Sequence, residues 1–139
     1  MSIIVGEGAY LYEQLDSWGT LPPGMPMGEV GAVGVDEKDN VWVIHRGAGG
    51  LHDNERGAEL NPPLAECCKT APPVLVFDQA GNLLRAWGGP GQGYEWPQLE
   101  HGILVDGQDH VWLGAGGDKD SHILKFTRSE EHTSELQSH

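Results

Sequence analysis

The chain has 139 residues, of which 38% are hydrophobic and 21% charged, a composition that is typical of a globular protein with one moderate core. Only 8 Lys and Arg stand against 21 Asp and Glu, giving a formal net charge of −13. This balance argues against a nucleic-acid partner, which needs clustered basic residues, and favours cations as guests. No apolar run reaches the roughly 18 residues of a membrane span, so no membrane insertion is predicted.

The N-terminus, residues 1–6, has neither a basic start nor an adequate apolar stretch, so it is not read as a signal peptide. The compartment stays open, and a longer gene product exported to the periplasm or out of the cell remains an alternative. Cys67 and Cys68 are adjacent, and neighbouring Cα atoms lie ~3.8 Å apart, below the usual disulfide span. We therefore expect two free thiols, or pairing outside this chain, rather than a bond between them.

The predicted elements are short strands, because 21 Gly and 9 Pro are spread between short apolar runs. Residues 10–19 form the first strand and end in Trp18-Gly19, a pair that recurs as Trp87-Gly88. A hairpin follows at Val35–Val43 and recurs about seventy residues later at Val105–Leu113. Both copies read as an apolar strand, a polar turn opened by Asp, and a strand carrying Val-Trp.

Each hairpin is followed by a third apolar run, at residues 74–78 and 123–127, and the first copy adds a fourth at 83–88. Four strands joined by tight turns make one blade of a β-propeller. The prediction is therefore an all-β fold, an incomplete β-propeller over residues 1–128 with four-stranded antiparallel blades. Residues 10–19 would end one blade, 28–88 would form a second, and 97–128 most of a third.

Two segments depart from the repeat. Residues 47–72 form a long loop, rich in Gly, Pro and charge, of the kind that decorates a site or is mobile. Residues 129–139 do not supply the turn and fourth strand that the repeat requires. This polar tail is interpreted as foreign to the fold and is expected to be disordered.

The unit made of residues 31–36, 40–43, 74–78 and 81–83 resembles the NHL repeat, and the likeness extends over roughly residues 10–128. Residues 28–47 and 101–106 also resemble the opening of peptidyl-α-hydroxyglycine α-amidating lyase, a six-bladed NHL propeller. That family cleaves a carbinolamide into a peptide amide and glyoxylate. Its site holds zinc on three histidines, beside an arginine and a tyrosine, with a structural calcium in the central channel.

This resemblance implies a role for four residues. Arg46 takes the place of the catalytic arginine and His101 that of the first zinc histidine. The backbone carbonyls of Val33 and Ile103 take the places of calcium ligands. Glu100 stands where the family usually has Pro. The two other histidines, the tyrosine and the calcium-binding carboxylate would come from blades outside this chain.

Structural roles compete with these assignments. His101 is either a zinc ligand or a channel histidine bonded to backbone, and Arg46 is either a charge clamp or a partner in a salt bridge. His45 is interpreted as structural support. Four aspartates and two tryptophans are expected to form turns and to pack the sheets, respectively. They are Asp36, Asp39, Asp106, Asp109, Trp42 and Trp112.

Two functions follow as hypotheses, so enzyme status stays open. The intact protein is a zinc-dependent lyase of the amidating type, or it is a non-catalytic NHL propeller that binds a small molecule, peptide or protein partner. Two blades expose strand edges and leave the channel incomplete, so the chain by itself is expected to show neither activity. The sequence does not give the oligomeric state or the total number of blades.

Overall fold

The computed structural model describes the backbone of residues 3–128 and 132–137, and the side chains of residues 3–128. Its strands are β1 Ile3–Glu7, β2 Tyr10–Gln14, β3 Val30–Val35, β4 Val41–His45, β5 Val74–Phe77, β6 Leu83–Trp87, β7 Glu100–Val105, β8 His110–Ala115, β9 His122–Thr127 and β10 His132–Gln137. They form antiparallel sheets, which confirms the all-β part of the prediction. No helix in the described ranges is both long and apolar enough to cross a bilayer.

The sheets follow the chain in order. Strands β3, β4, β5 and β6 pair as neighbours in a four-stranded sheet, hereafter the first sheet. Strands β7, β8 and β9 repeat this order in the second sheet, with β10 paired to the outer edge of β9. Strands β1 and β2 form a separate hairpin whose residues are all exposed.

An aspartate closes the turn of each of the two similar hairpins, β3–β4 and β7–β8. Asp36 Oδ1 accepts hydrogen bonds from the backbone N–H groups of Lys38 and Asn40, at 2.9 and 3.0 Å, and its Oδ2 accepts from Trp42 Nε1 at 3.0 Å. A short side chain that binds the backbone two and four residues ahead closes a tight turn. The turn role predicted for Asp36 is confirmed.

The second copy repeats these contacts. Asp106 accepts from the N–H groups of Gln108 and His110, at 2.8 and 3.0 Å, and from Trp112 Nε1 at 2.9 Å. Asp39 and Asp109, one in each turn, adopt positive φ angles of 60° and 65°. Asp tolerates this left-handed conformation better than most residues, so both aspartates belong to the turns, as predicted.

The main core lies between the two sheets. Trp42 and Ile44 of β4 and Val74 and Val76 of β5 are buried against one face of the second sheet. That face is formed by Val111, Leu113, Leu124 and Phe126. The packing role predicted for Trp42 is confirmed, since only 3% of it is exposed.

The sheets do not meet through the same face. Trp42 of the first sheet matches Trp112 in the repeat, yet Trp42 points into the interface and Trp112 lies on the far side of the second sheet. Side chains alternate along a strand, so the first sheet contributes one face of the repeat and the second sheet contributes the opposite face. This is head-to-tail packing, which can be extended by further copies in either direction.

The first sheet is also covered on its other face. Val43, Leu75 and Phe77 are buried there beneath Trp18, Leu21 and Met25. The rings of Trp18 and Phe77 lie 5.6 Å apart, and those of Trp87 and Phe126 lie 5.2 Å apart. Trp18, in the segment that precedes the first sheet, therefore packs on that sheet as Trp87 of β6 packs on the second sheet.

The matching face of the second sheet is open in the described residues. Leu104 is 61% exposed and Ile123 is 41% exposed, and Trp112 is covered in part by the ammonium group of Lys125, 4.9 Å from its ring. Trp42 and Val74, which correspond to Trp112 and Ile123, are packed in the core of the first sheet's interface.

The long loop, residues 47–72, contains three 3₁₀ turns, Gly47–Gly50, Asp53–Glu55 and Gly57–Glu59. It is fastened to the segment before β3, because Lys69 N–H donates to Gly24 O and Ala71 N–H donates to Pro26 O, both at 2.9 Å. The expectation for Cys67 and Cys68 is wrong, since their Sγ atoms are bonded to each other. Their Cα atoms lie 3.2 Å apart, closer than the ~3.8 Å on which the expectation rested.

The tail predicted to be disordered covers residues 129–139. Within it the structure describes the backbone of His132–Gln137, which forms β10 beside β9. Residues 129–131 and 138–139 lie outside the described residues.

Candidate functional site

A cleft of about 460 Å³ opens where β4 ends and β7 begins. Its walls come from Arg46 and the 3₁₀ turn after it, from the end of the long loop, from residues 88–90 after β6, and from residues 96–100. Clefts of this volume suit small ligands. The cleft therefore lies where the two sheets and the long loop meet.

A buried histidine fixes the end of β4. His45 is fully buried, and its Nδ1 accepts hydrogen bonds from the N–H groups of Gly28 and Gly47 at 3.1 and 3.0 Å. Its Nε2 then carries the proton and donates to Pro72 O at 2.8 Å. Burial lowers the pKa of His45, and the bond to Pro72, which favours the charged form, offsets only part of this. The supporting role predicted for His45 is confirmed.

Arg46 follows His45 and lines the cleft. Its backbone N–H donates to Glu29 O at 2.8 Å, and its Nη1 forms an ion pair with Glu29 Oε2 at 3.0 Å. About a third of the side chain is exposed, yet Nε is buried and has no hydrogen-bond partner in the described part of the chain. The salt bridge considered for Arg46 is therefore present, and the role of charge clamp stays a prediction.

Glu100 is the functional residue that sequence reasoning missed. Only 7% of it is exposed, it lines the cleft, and its Oε2 has no hydrogen-bond partner among the described residues. Burial raises the pKa of Glu100, and the nearby Trp96 indole and Arg46 guanidinium, which favour the ionised form, do not cancel that effect. The sequence alone could have indicated Glu100, because this acid occupies a strand position where the first copy of the repeat has Val30.

His101 is not brought into this cleft. It is exposed, and it does not line the cleft although it follows Glu100 on β7, where the pairing with β8 shifts register. A methyl group placed on Gly116 would lie 3.5 Å from His101 Cβ, which locates His101 beside the β8–β9 loop. The structure thus separates His101 from the cleft that Arg46 lines.

The carbonyls of Val33 and Ile103 belong to neighbouring strands, β3 and β7. A methyl group on Gly34, the residue after Val33, would lie 3.8 Å from Ile103 O. The two strands therefore run side by side, as the inner strands of adjacent blades would.

The described residues do not complete a metal site. Zinc takes four ligands in structural sites and three protein ligands in catalytic ones, whereas calcium takes six to eight oxygens. Within residues 3–128 no group of three or more His, Cys, Asp or Glu side chains is placed to hold an ion. His101 would be one zinc ligand, and the two carbonyls would be part of a calcium shell.

A scan against protein-family models and a search of the curated proteins found no match for this chain.

Proposed function

We propose that this chain is part of an NHL-type β-propeller whose cleft at the end of β4 binds a small-molecule or peptide ligand. The head-to-tail packing of the two sheets supports the propeller. A propeller blade presents one face to the blade before it and the other to the blade after it, and the first sheet is covered in this way on both sides. The open face of the second sheet is where the next blade would pack.

One observation carries the ligand-binding role. Arg46 Nε is buried without a hydrogen-bond partner in the described part of the chain, and Trp96 Nε1 and Glu100 Oε2, also buried at the cleft, have no well-formed hydrogen bond beyond their attraction for each other. A buried polar atom without a hydrogen bond lowers the free energy of unfolding by about 1–3 kcal/mol, so a bound partner for these atoms would be stabilising. A ligand with complementary donors and acceptors would pair them.

Arg46 is the residue that would hold an acidic or carbonyl group of the ligand. A guanidinium donates in a fixed planar fork that suits carboxylates. Glu29 accepts from Nη1, which orients the group and leaves Nε free to donate to the ligand.

The sequence predicted no activity for this chain by itself, but the lining residues of the cleft all lie within it, so isothermal titration calorimetry of the 139-residue chain with N-acetylglycylglycine, a small peptide carboxylate, tests this function. We expect binding to the parent chain and at least ~10-fold weaker binding to Arg46→Gln, because a charge-assisted hydrogen bond is lost. Arg85→Gln changes an exposed arginine on β6 outside the cleft and is the matched control. Equal binding by both variants would contradict the role of Arg46.

A second candidate is a zinc-dependent lyase of the amidating type, which the exposure of His101 at the start of β7 favours, although His101 does not line the cleft of Arg46. In that protein His101 would supply one zinc ligand, and Val33 and Ile103 would supply carbonyls to calcium. Zinc would act as a Lewis acid on the substrate. Further histidines and a tyrosine would come from other blades.

Metal analysis of a full-length gene product separates the two candidates. The lyase requires one zinc per chain and its loss in His101→Ala. A non-catalytic propeller requires no stoichiometric zinc and unchanged ligand binding in the same variant.

A further inference from the structure

The acids around the cleft differ in how far their oxygens are paired. Glu29 is paired with Arg46. Glu59 lines the cleft and is paired with Arg56, at 3.5 Å, and with Thr70. Glu100 is more deeply buried than either, and its Oε2 has no hydrogen-bond partner in residues 3–128. Glu100 is therefore the most weakly paired acid of the cleft, and the Trp96 indole and Arg46 guanidinium are the side chains that favour its ionised form.

The surroundings of Glu100 are rigid and apolar. Trp96 lines the cleft beside it, and the Trp96 ring packs against Trp87, Tyr94 and Phe126 with centroids 6.4, 5.9 and 6.1 Å apart. Aromatic packing of this kind holds the indole in place before a ligand arrives, which reduces the entropy lost on binding. The same ring can contact a cation through its face.

The charges in the cleft select the ligand. Glu59 and Glu100 line the cleft with Arg46, Glu29 pairs with Arg46 beside it, and the whole chain carries −13. A purely anionic ligand would meet this excess of acids unfavourably, whereas a ligand with a positive end would be attracted. The buried acceptor at Glu100 requires a hydrogen-bond donor, and an ammonium group is both a donor and a cation.

We propose that the cleft recognises a primary amine, whose ammonium group binds Glu100 Oε2, in a ligand whose carboxylate or carbonyl binds Arg46. The assignment rests on the proposed ligand-binding function and names its ligand class. Short peptides with a free N-terminus carry both groups, and so do compounds with an amine on a side chain.

Calorimetry with matched probes tests the assignment in the 139-residue chain. Glycylglycine carries a free terminal amine, N-acetylglycylglycine lacks the amine, and Nα-acetyllysine moves the amine to a side chain. We expect one of the two amines to bind at least ~10-fold more tightly than N-acetylglycylglycine, and the better one identifies the source of the amine. In Glu100→Gln, which keeps the shape of the side chain, that advantage should disappear.

The outcomes separate the two proposals. Glu66→Gln alters an exposed glutamate outside the cleft and should bind as the parent does. If the acetylated and amine probes bind equally, and Arg46→Gln weakens both, the amine assignment is wrong while the ligand-binding function stands. If no probe binds, the ligand-binding function itself is overturned. Thermal unfolding of Glu100→Gln confirms that the variant is folded, and Glu100→Asp, which keeps the charge, should retain part of the amine preference.

Discussion

The two sheets share one hairpin pattern but have different neighbours. The first sheet is buried on both faces, beneath the second sheet on one side and the segment around Trp18 on the other. The second sheet is buried on one face, and its other face carries exposed Leu104 and Ile123. Equivalent residues thus differ in burial because of what packs on them, not because of the strand that carries them.

The sheets also differ at the end of their second strand. His45 closes β4 and binds the backbone of the long loop, whereas its counterpart in the second sheet is Ala115, which is followed by a short loop. The long loop supplies part of the cleft wall and the second sheet has no equivalent. A local change in one copy of the repeat therefore creates the candidate site.

The largest expected effect is the loss of His45. His45→Ala leaves the N–H groups of Gly28 and Gly47 and the carbonyl of Pro72 without their buried partner. We expect the free energy of unfolding to fall by about 3 kcal/mol, measured by urea denaturation at neutral pH. His101→Ala removes an exposed histidine and should change stability by less than ~0.5 kcal/mol. Equal effects of the two substitutions would show that the hydrogen bonds of His45 to the backbone of Gly28, Gly47 and Pro72 do not stabilise the fold.

His45 also predicts a pH dependence with a definite sign. Burial holds the pKa of His45 below its ordinary 6.5, so the folded chain keeps it neutral while the unfolded chain binds a proton. Its contribution to stability is complete above pH 6.5 and is lost as the pH falls through that value toward the folded pKa. His45→Gln should flatten the stability profile over this range, and an unchanged profile would contradict the assignment.

A smaller effect is expected at the interface between the sheets. Val74 and Ile123 occupy matching positions on β5 and β9, but Val74 is fully buried and Ile123 is 41% exposed. Val74→Ala should lower the free energy of unfolding by about 2 kcal/mol through lost burial and an unfilled cavity, and Ile123→Ala by less than ~1 kcal/mol. Chemical denaturation of both variants measures the difference. A larger loss for Ile123→Ala would mean that the second face is covered in solution.

Part of this architecture follows from sequence alone. The strands around Val-Trp and the Asp turns were predictable because alternation, turn residues and the repeat all indicate the same hairpin. The stacking direction was not predictable, because it depends on which face of each sheet meets the next. The pairing of Cys67 with Cys68 was not predictable from the usual spacing of neighbouring Cα atoms, because these two lie closer together than that spacing.

The candidate site was predictable in one residue. Arg46 was found through its family resemblance and does line the cleft. Glu100 was noted as a departure from the family, but its burial depends on Trp96 and on loops that only the folded chain brings together. His101 was predicted beside Arg46 in one channel, but it does not line the cleft and instead lies beside Gly116, at a register shift of β7 that the sequence pattern did not indicate.

The Asp turns allow a comparison in which the two sheets should behave alike. Asp36→Ala removes four accepted hydrogen bonds, including one from the buried Trp42 indole, and should cost about 1.5 kcal/mol. Burial acts to raise the pKa of Asp36, but those hydrogen bonds outweigh it and leave the pKa below its ordinary value. The Trp112 hydrogen bond, with those from the turn backbone, lowers the pKa of Asp106 to about 2.

Both turns should therefore weaken in acid. A carboxylate with a depressed pKa stabilises the fold fully above its unfolded pKa of about 3.8, and this contribution is lost as the pH falls toward 2. NMR titration of the two indole N–H signals follows each turn separately. If only one indole responds between pH 4 and 2, the two turns are not equivalent.

The smallest effect should come from the ion pair that joins the sheets. Arg128, after β9, donates to both carboxylate oxygens of Glu37, in the β3–β4 turn, at 2.7 and 2.6 Å. The hydrogen bonds from Arg128 lower the pKa of Glu37 to about 2, so its contribution is lost as the pH falls from 4.5 toward 2. Because Glu37 is exposed, Glu37→Gln should lower Tm less than any core substitution, and the difference from the parent should vanish at pH 2 or in about 1 M salt. Glu66→Gln, with no described ion pair, should leave Tm unchanged. A loss that persists in high salt would mean that Glu37 acts through packing and that the sheets are joined by more than the apolar core between Trp42 and Phe126.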